Sequence, residues 1–441
     1  MSLRQQLQLM MQQRGSIQGL RGIAWRSNAT RQHPDGPRAR FHAKLRLSMA
    51  TGRCEMRRTT FGTFSVLAVA LIFAAACVPA PPQPATGINP NSAPRAGEAA
   101  YAQHGPFEVG VTTLQMSDRN VEVWYPVNPE DIGTAPRDEY FIRDYVSAAF
   151  DQLLPAEVNP PFVTDATRDV PASDGGPFPL VLFSHGFASY RTQSTSLTTH
   201  LASWGFVVIS PDYLERGLRS VLGEPPASPR ADATIADEAI SLIRSENLSA
   251  GGLLEGRVDS TSIYPIGHSA GGGTSLRLLE RADVHSVIPM ASGYSMLSQL
   301  NGSLTLPPGK SIAWIGGVKD GIAAIADIRR GFDYTPGERK LIEISGAGHN
   351  NAFTDICEIG EGGVAALALS TGIPIPSSLL ALGDNGCKVP PFRDSPDVWP
   401  EVRHFVTAEL RYRSGLDAQP VGLGDQVLTS FDDIARYRHN P

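Results

Sequence analysis

Ser269, Asp320 and His349 are far apart in the chain, yet each sits where a run of apolar residues gives way to glycine. A serine hydroxyl is a weak nucleophile until a base takes its proton, and an imidazole serves as that base when a carboxylate fixes its tautomer. Serine, carboxylate and imidazole together are therefore the minimum set for acyl transfer through a covalent intermediate. Ser269 stands in Gly267-His268-Ser269-Ala270-Gly271, between the apolar stretch "SIYPIG" and the helix-like stretch "AGGGTSLRLLERA". Such a motif alone is a glycine turn with an incidental serine. Between a strand and a helix, the turn pushes the hydroxyl outward, and small neighbours let other backbone pass close by. The helix that follows adds positive potential beside any developing negative charge. Asp320 follows "SIAWIGG" and precedes a glycine, where the bland reading is a residue capping the next helix. Asp327 and Asp333 are less well placed, in a helix and a loop. His349 follows "LIEIS" and a Gly-Ala-Gly loop that can carry the ring over the serine.

These positions require particular elements beneath them. "FEVGVTTLQM" and "NVEVWYPV" alternate as hairpin strands do. "FPLVLFS", "GFVVISP", "STSIYPIG", "VHSVIPMA", "SIAWIGG" and "RKLIEIS" read as strands, several of them apolar throughout as burial on both faces demands. Helices are expected over "SLTTHLASW", over "DATIADEAISLIRSE", from Ala270 onward, and over "WPEVRHFVTAELRYR". Strands alternating with helices predict an α/β fold, a mostly parallel sheet with helices on both faces. In such sheets sites lie beyond the C-terminal strand ends, where all three residues fall. About twenty residues separate the strand ending near Ala291 from the next, too few for a helical cap domain there. The site is therefore expected to be fairly open. Phe187 and Tyr190 would line it, with the Pro-rich connection 127–177 and the loop 357–387 as the available roof.

The order serine, aspartate, histidine in these strand contexts is the α/β-hydrolase arrangement. On that arrangement the backbone N–H of Ala270 and of Phe187, in "LVLFSHGF", would form the oxyanion hole, with His185 and Gly186 shaping the loop. From "VEVWYPV" through "FSHGF", "GHSAGG", "GVKDGI" and "GAGHNNAFTDIC", residues 105 to 410 resemble bacterial α/β-hydrolases of the platelet-activating factor acetylhydrolase-like and dienelactone hydrolase-like kind. Cutinases and polyester hydrolases share the arrangement. The resemblance implies a serine carboxylesterase needing no cofactor or metal. Three departures stand out. Where acetylhydrolases carry their acid, this chain has "IPMASGYS" without a carboxylate, which leaves Asp320. Polyester hydrolases present a tryptophan in that region, and here only Tyr294 is available. Dienelactone hydrolases proper use cysteine where position 269 is serine.

The remaining signals concern where the chain works. Residues 1–55 are a basic leader with no sustained apolar period. Through Arg58 the net charge is +10 against −6 for the whole 441-residue chain, leaving −16 for the rest, a balance that argues against a nucleic-acid partner. Residues 56–77 have the layout of a secretory signal: Arg57 and Arg58, the apolar Phe61 to Ala76, then Cys77 behind small residues, resembling a lipobox whose cysteine is lipidated. The expectation is an exported protein, secreted or attached to a membrane through lipid on Cys77. Residues 78–104 read as a Pro-rich linker, 105–415 as the catalytic domain and 416–441 as a tail. Cys357 and Cys387 are the only cysteines of the body, and in an exported protein they are expected to pair. Neither proposed wall of the site has paired basic residues, so anionic phosphate substrates are not indicated. The expected substrates are short or medium acyl esters. The alternatives are a lipase, polyester hydrolase or thioesterase, and a surface lipoprotein that keeps the frame for binding alone.

Overall fold

The computed structural model describes residues 99–298 and 309–440. The leader, the signal segment with Cys77 and nearly all of the linker lie outside the described residues. Eleven strands form one sheet: β1 Glu108–Gln115, β2 Asn120–Val127, β3 Arg137–Phe141, β4 Pro161–Arg168, β5 Phe178–Ser184, β6 Val207–Pro211, β7 Val258–His268, β8 Ser286–Met290, β9 Ser311–Gly317, β10 Glu338–Ile344 and β11 Ile434–Asn440. Their spatial order is β11-β10-β9-β8-β7-β5-β6-β2-β1-β4-β3. The six central strands, β6-β5-β7-β8-β9-β10, pair in parallel, while β2 joins β6 antiparallel and β11 joins β10 antiparallel.

The parallel strands are apolar on both faces because helices cover both. Along β5, Leu180 and Leu182 point into one core and Val181 and Phe183 into the other, the period-two alternation of a strand. The helices needed below are α1 Thr195–Ser203, α2 Asp232–Leu248, α3 Ala270–Leu278, α4 Ile325–Tyr334, α5 Gly363–Ser370, α6 Ser377–Asp384 and α7 Ser395–Ser414. In α2, Ile235, Ala236, Ala239, Ile240 and Ile243 are buried at helical spacing, and the last four pack with Leu180, Leu182 and Trp314. Val398, Val402, Phe405 and Val406 of α7 cover the opposite face with Leu201 of α1.

Three expectations need correction, while the connection 127–177 carries structure of its own, β3 and β4, which extend the sheet beyond β1. Their alternation was obscured by charges, because β3 and much of β4 face solvent on one side. The tail supplies β11, whose Arg- and His-bearing residues suit a half-exposed edge strand and gave no apolar signal. The linker ends before Tyr101, which is fully buried against Trp204 and His404 and hydrogen-bonded through its hydroxyl to Asp417. Finally, the site is roofed, as described next.

Candidate active site

Ser269 occupies the joint between β7 and α3 with φ 54° and ψ −118°, a conformation that a non-glycine residue adopts only under constraint. Its N–H is tied to the Met290 carbonyl at 2.9 Å and its own carbonyl accepts from Gly272 at 3.0 Å, so neighbouring strand and helix both fix the turn. Glycine is required on either side. A β-carbon at Gly267 would collide with the Gly271 carbonyl, and one at Gly271 with the Ser184 carbonyl.

His349 and Asp320 meet beyond the ends of β10 and β9. Nδ1 of His349 lies 2.8 Å from Oδ2 of Asp320, and both side chains are buried. The other carboxylate oxygen of Asp320 accepts the N–H groups of Ile322 at 2.7 Å and Ala323 at 2.8 Å. The aspartate therefore caps its own turn and orients the imidazole at once. With Nδ1 donating to the carboxylate, the ring's free lone pair is on Nε2. Asp327 binds Ser295 instead, and Asp333 binds Arg438.

Ser269 and His349 line the same cavity, of about 120 Å³. The Ser269 hydroxyl makes no hydrogen bond to His349 here. Such bonds are often long in the absence of substrate and tighten in the reacting complex. Phe187 also lines the cavity, and among the described residues neither its N–H nor that of Ala270 donates to a protein acceptor. Two unpartnered donors flanking the serine are what an oxyanion site requires.

His185 stands apart from this set. Its Nδ1 contacts the Gly186 carbonyl at 2.9 Å, its Nε2 accepts the Tyr213 N–H at 2.9 Å, and burial pushes it well below the usual imidazole range. It shapes its loop, as expected. His268 is likewise buried and held neutral, chiefly by desolvation and then by the neighbouring His349. Its Nε2 donates to the His349 carbonyl at 2.9 Å and its Nδ1 accepts from Gln193 at 3.2 Å. Tyr294 is not among the cavity's lining residues; its ring packs on Tyr334 and under Arg330.

Two residues of the site carried no sequence signal. Gln193 accepts the Gly186 N–H at 2.9 Å while donating to His268, so one amide joins the Phe187 loop to the serine turn. It sits in a polar run with no motif. Asn385 accepts the N–H of His349 at 2.8 Å and of Gly321 at 3.3 Å, holding the histidine and aspartate loops together. Cys357 and Cys387 are disulfide-bonded, Cα to Cα 4.9 Å, and so anchor the segment that bears Asn385.

A strained serine between a parallel strand and a helix, with an Asp–His pair beyond the next strands, is a strand-end arrangement found with a recognisable fold. Residues 166–368, which include all three, match the family model described as PET hydrolase-like, and residues 96–218 match that of platelet-activating factor acetylhydrolase, isoform II. The chain has the α/β-hydrolase fold. Among curated relatives of this α/β-hydrolase, the platelet-activating factor acetylhydrolase of Cavia porcellus is 29% identical over 124 residues, 25% of this chain and 28% of the relative. That of Canis lupus familiaris is 28% identical over 123 residues, 25% and 27% of the two chains. Cutinase est2 of Thermobifida alba is 27% identical over 173 residues, 38% of this chain and 52% of the relative. The match thus spans between about a quarter and half of the relatives' lengths. Among the described residues no helix is long and apolar enough to cross a membrane.

Proposed function

We propose that this α/β-hydrolase is an exported serine carboxylic ester hydrolase, with Ser269 as nucleophile, His349 as general base and acid, and Asp320 as its orienting carboxylate. The observation that supports this most is the 2.8 Å contact of His349 with Asp320 in the wall of the cavity that Ser269 also lines. The Ser269 oxygen attacks the ester carbonyl as its proton passes to Nε2 of His349. The tetrahedral oxyanion is received by the N–H groups of Phe187 and Ala270, each worth about 3 kcal/mol to the transition state. The C–O bond to the alcohol breaks as His349 returns the proton to the leaving oxygen. Water then repeats the sequence on the acyl-enzyme, releasing the acid and restoring Ser269. The platelet-activating factor acetylhydrolase and cutinase relatives favour an ester as the substrate class.

A fluorophosphonate probe tests this directly. Residues 78–441 should label stoichiometrically, and Ser269→Ala should abolish labelling together with p-nitrophenyl acetate hydrolysis. A wild-type protein that neither labels nor turns over the ester would favour the binding-only lipoprotein reading. Export with lipid on Cys77 is part of the same proposal: cells fed labelled palmitate should label the wild type and not Cys77→Ala, and equal labelling would refute it.

A further inference from the structure

The cavity's roof comes from two segments distant in sequence. One is the stretch between Ile142 and Val158, the other the disulfide-bounded stretch carrying α5 and α6. Helix α5, "GVAALALS", has apolar side chains around its whole circumference, unusual for a surface helix unless it covers an apolar space. Val146, Leu154, Leu367, Leu379 and Leu380 all face the chamber that begins at Ser269 and His349. Most of the polar groups along it are already used, the exceptions being the Ser189 and Tyr190 hydroxyls, which are buried without a partner. Arg143 is bound to Asp151 at 2.7 Å and to the Pro155 carbonyl at 3.0 Å. The Asn350 amide is spent on the Leu382 carbonyl at 2.7 Å, and the Thr371 hydroxyl on the Ala368 carbonyl at 2.7 Å. A charged or hydroxyl-rich arm would lose its hydration there with only those two hydroxyls to replace it.

We infer that this chamber takes a long unbranched aliphatic arm of the substrate, making the preferred esters medium- to long-chain rather than acetyl-sized. The inference rests on the serine-esterase reading and refines its substrate class. The expectation of short acyl groups came from an open cleft, and the roof removes that reason. The chemistry of the chamber suits an acyl or an alkoxy chain equally, so two substrate series separate the sources: p-nitrophenyl esters from acetate to dodecanoate, and acetates of alcohols from ethanol to decanol.

Full transfer of a methylene from water to an apolar site corresponds to about fourfold in kcat/KM. A rise of at least twofold per methylene over four or more carbons is expected in one series, and that series identifies the arm. A flat or falling profile in both series overturns the inference while leaving the esterase reading intact, provided fluorophosphonate still labels Ser269. Ala368→Trp, which fills the chamber, should lower the ratio of long- to short-chain kcat/KM at least tenfold. Leu379→Ser should lower it several-fold and serves if the tryptophan variant does not fold. An unchanged ratio in both would refute the assignment. Binding tests the chamber apart from catalysis: the longest ester of whichever series rises, titrated into Ser269→Ala, should give saturable heat that Leu379→Ser weakens, and no binding would overturn the proposal.

Discussion

At the scale of single residues, the site is a set of groups each held by more than one partner. Asp320 uses one oxygen on His349 and the other on two backbone N–H groups. Removing its side chain frees the imidazole to rotate and to take the wrong tautomer. Asp320→Ala should therefore lower kcat by about 10⁴, as triads behave when the carboxylate is lost, with KM changing little. Wild-type-like kcat in this variant would move the acid elsewhere. Gln193 acts at one remove, joining the Gly186 N–H to His268 and through it to the His349 carbonyl. Gln193→Leu leaves both buried partners unsatisfied, a cost of about 1–3 kcal/mol for each. A fall in kcat of tenfold or more is expected, while a variant that loses stability but keeps kcat would make Gln193 purely structural.

At the scale of elements, backbone shape matters more than any side chain. The β7–α3 turn works because Ser184 backbone passes against Gly271, and Gly271→Ala should leave little folded protein. Circular dichroism and a thermal melt would detect this, and a native melt would contradict it. The disulfide fixes the roof in the same sense. Bridging residues 30 apart stabilises by about 3.6 kcal/mol in the chain-entropy model. Cys357→Ser/Cys387→Ser should thus melt several degrees lower, and kcat should fall as well because Asn385, two residues from Cys387, positions the His349 and Gly321 N–H groups. Lower Tm with unchanged kcat would detach the bridge from the site.

At the scale of the molecule, burial holds four histidines neutral among the described residues, none of them the His349 of the site. His185, His200 and His268 are pushed well below the usual histidine range and His404 to about 4, in each case first by burial. In three of them a ring nitrogen accepts an N–H: His185 from Tyr213, His268 from Gln193 and His404 from Tyr101. A proton there would displace that bond. The unfolded chain takes up these protons below about pH 6.5 and the folded chain does not, so stability is lost as pH falls from 6.5 toward 4. His404 alone accounts for about 3 kcal/mol across that window. Buried Asp355, raised to about 6 by desolvation, works the other way, since the folded state then binds its proton first. Burial raises the carboxyls of Asp138, Asp212 and Glu401 in the same sense, but the four histidines, three of them pushed well below their ordinary range, predict a net loss. Urea denaturation at pH 7.5 and 5.0 should give a lower unfolding free energy at 5.0, and equal or higher stability at 5.0 would contradict the prediction.

The parallel core and the positions of Ser269, Asp320 and His349 were legible in the sequence because local chemistry carries them. Strands buried on both faces are apolar throughout, and glycines must stand where backbones cross. The Cys357–Cys387 pair was legible for a simpler reason, being the only two cysteines of the body. What the tertiary structure alone decided is the company these residues keep. Gln193 and Asn385 gain meaning only when distant loops converge on their amides, β11 is polar because an edge strand needs no second apolar face, and the two segments available as a roof enclose the cavity only because the fold brings them together. Periodicity reports how one segment meets solvent or core. It holds no record of which other segment lies opposite, and enclosure of the cavity depends on that.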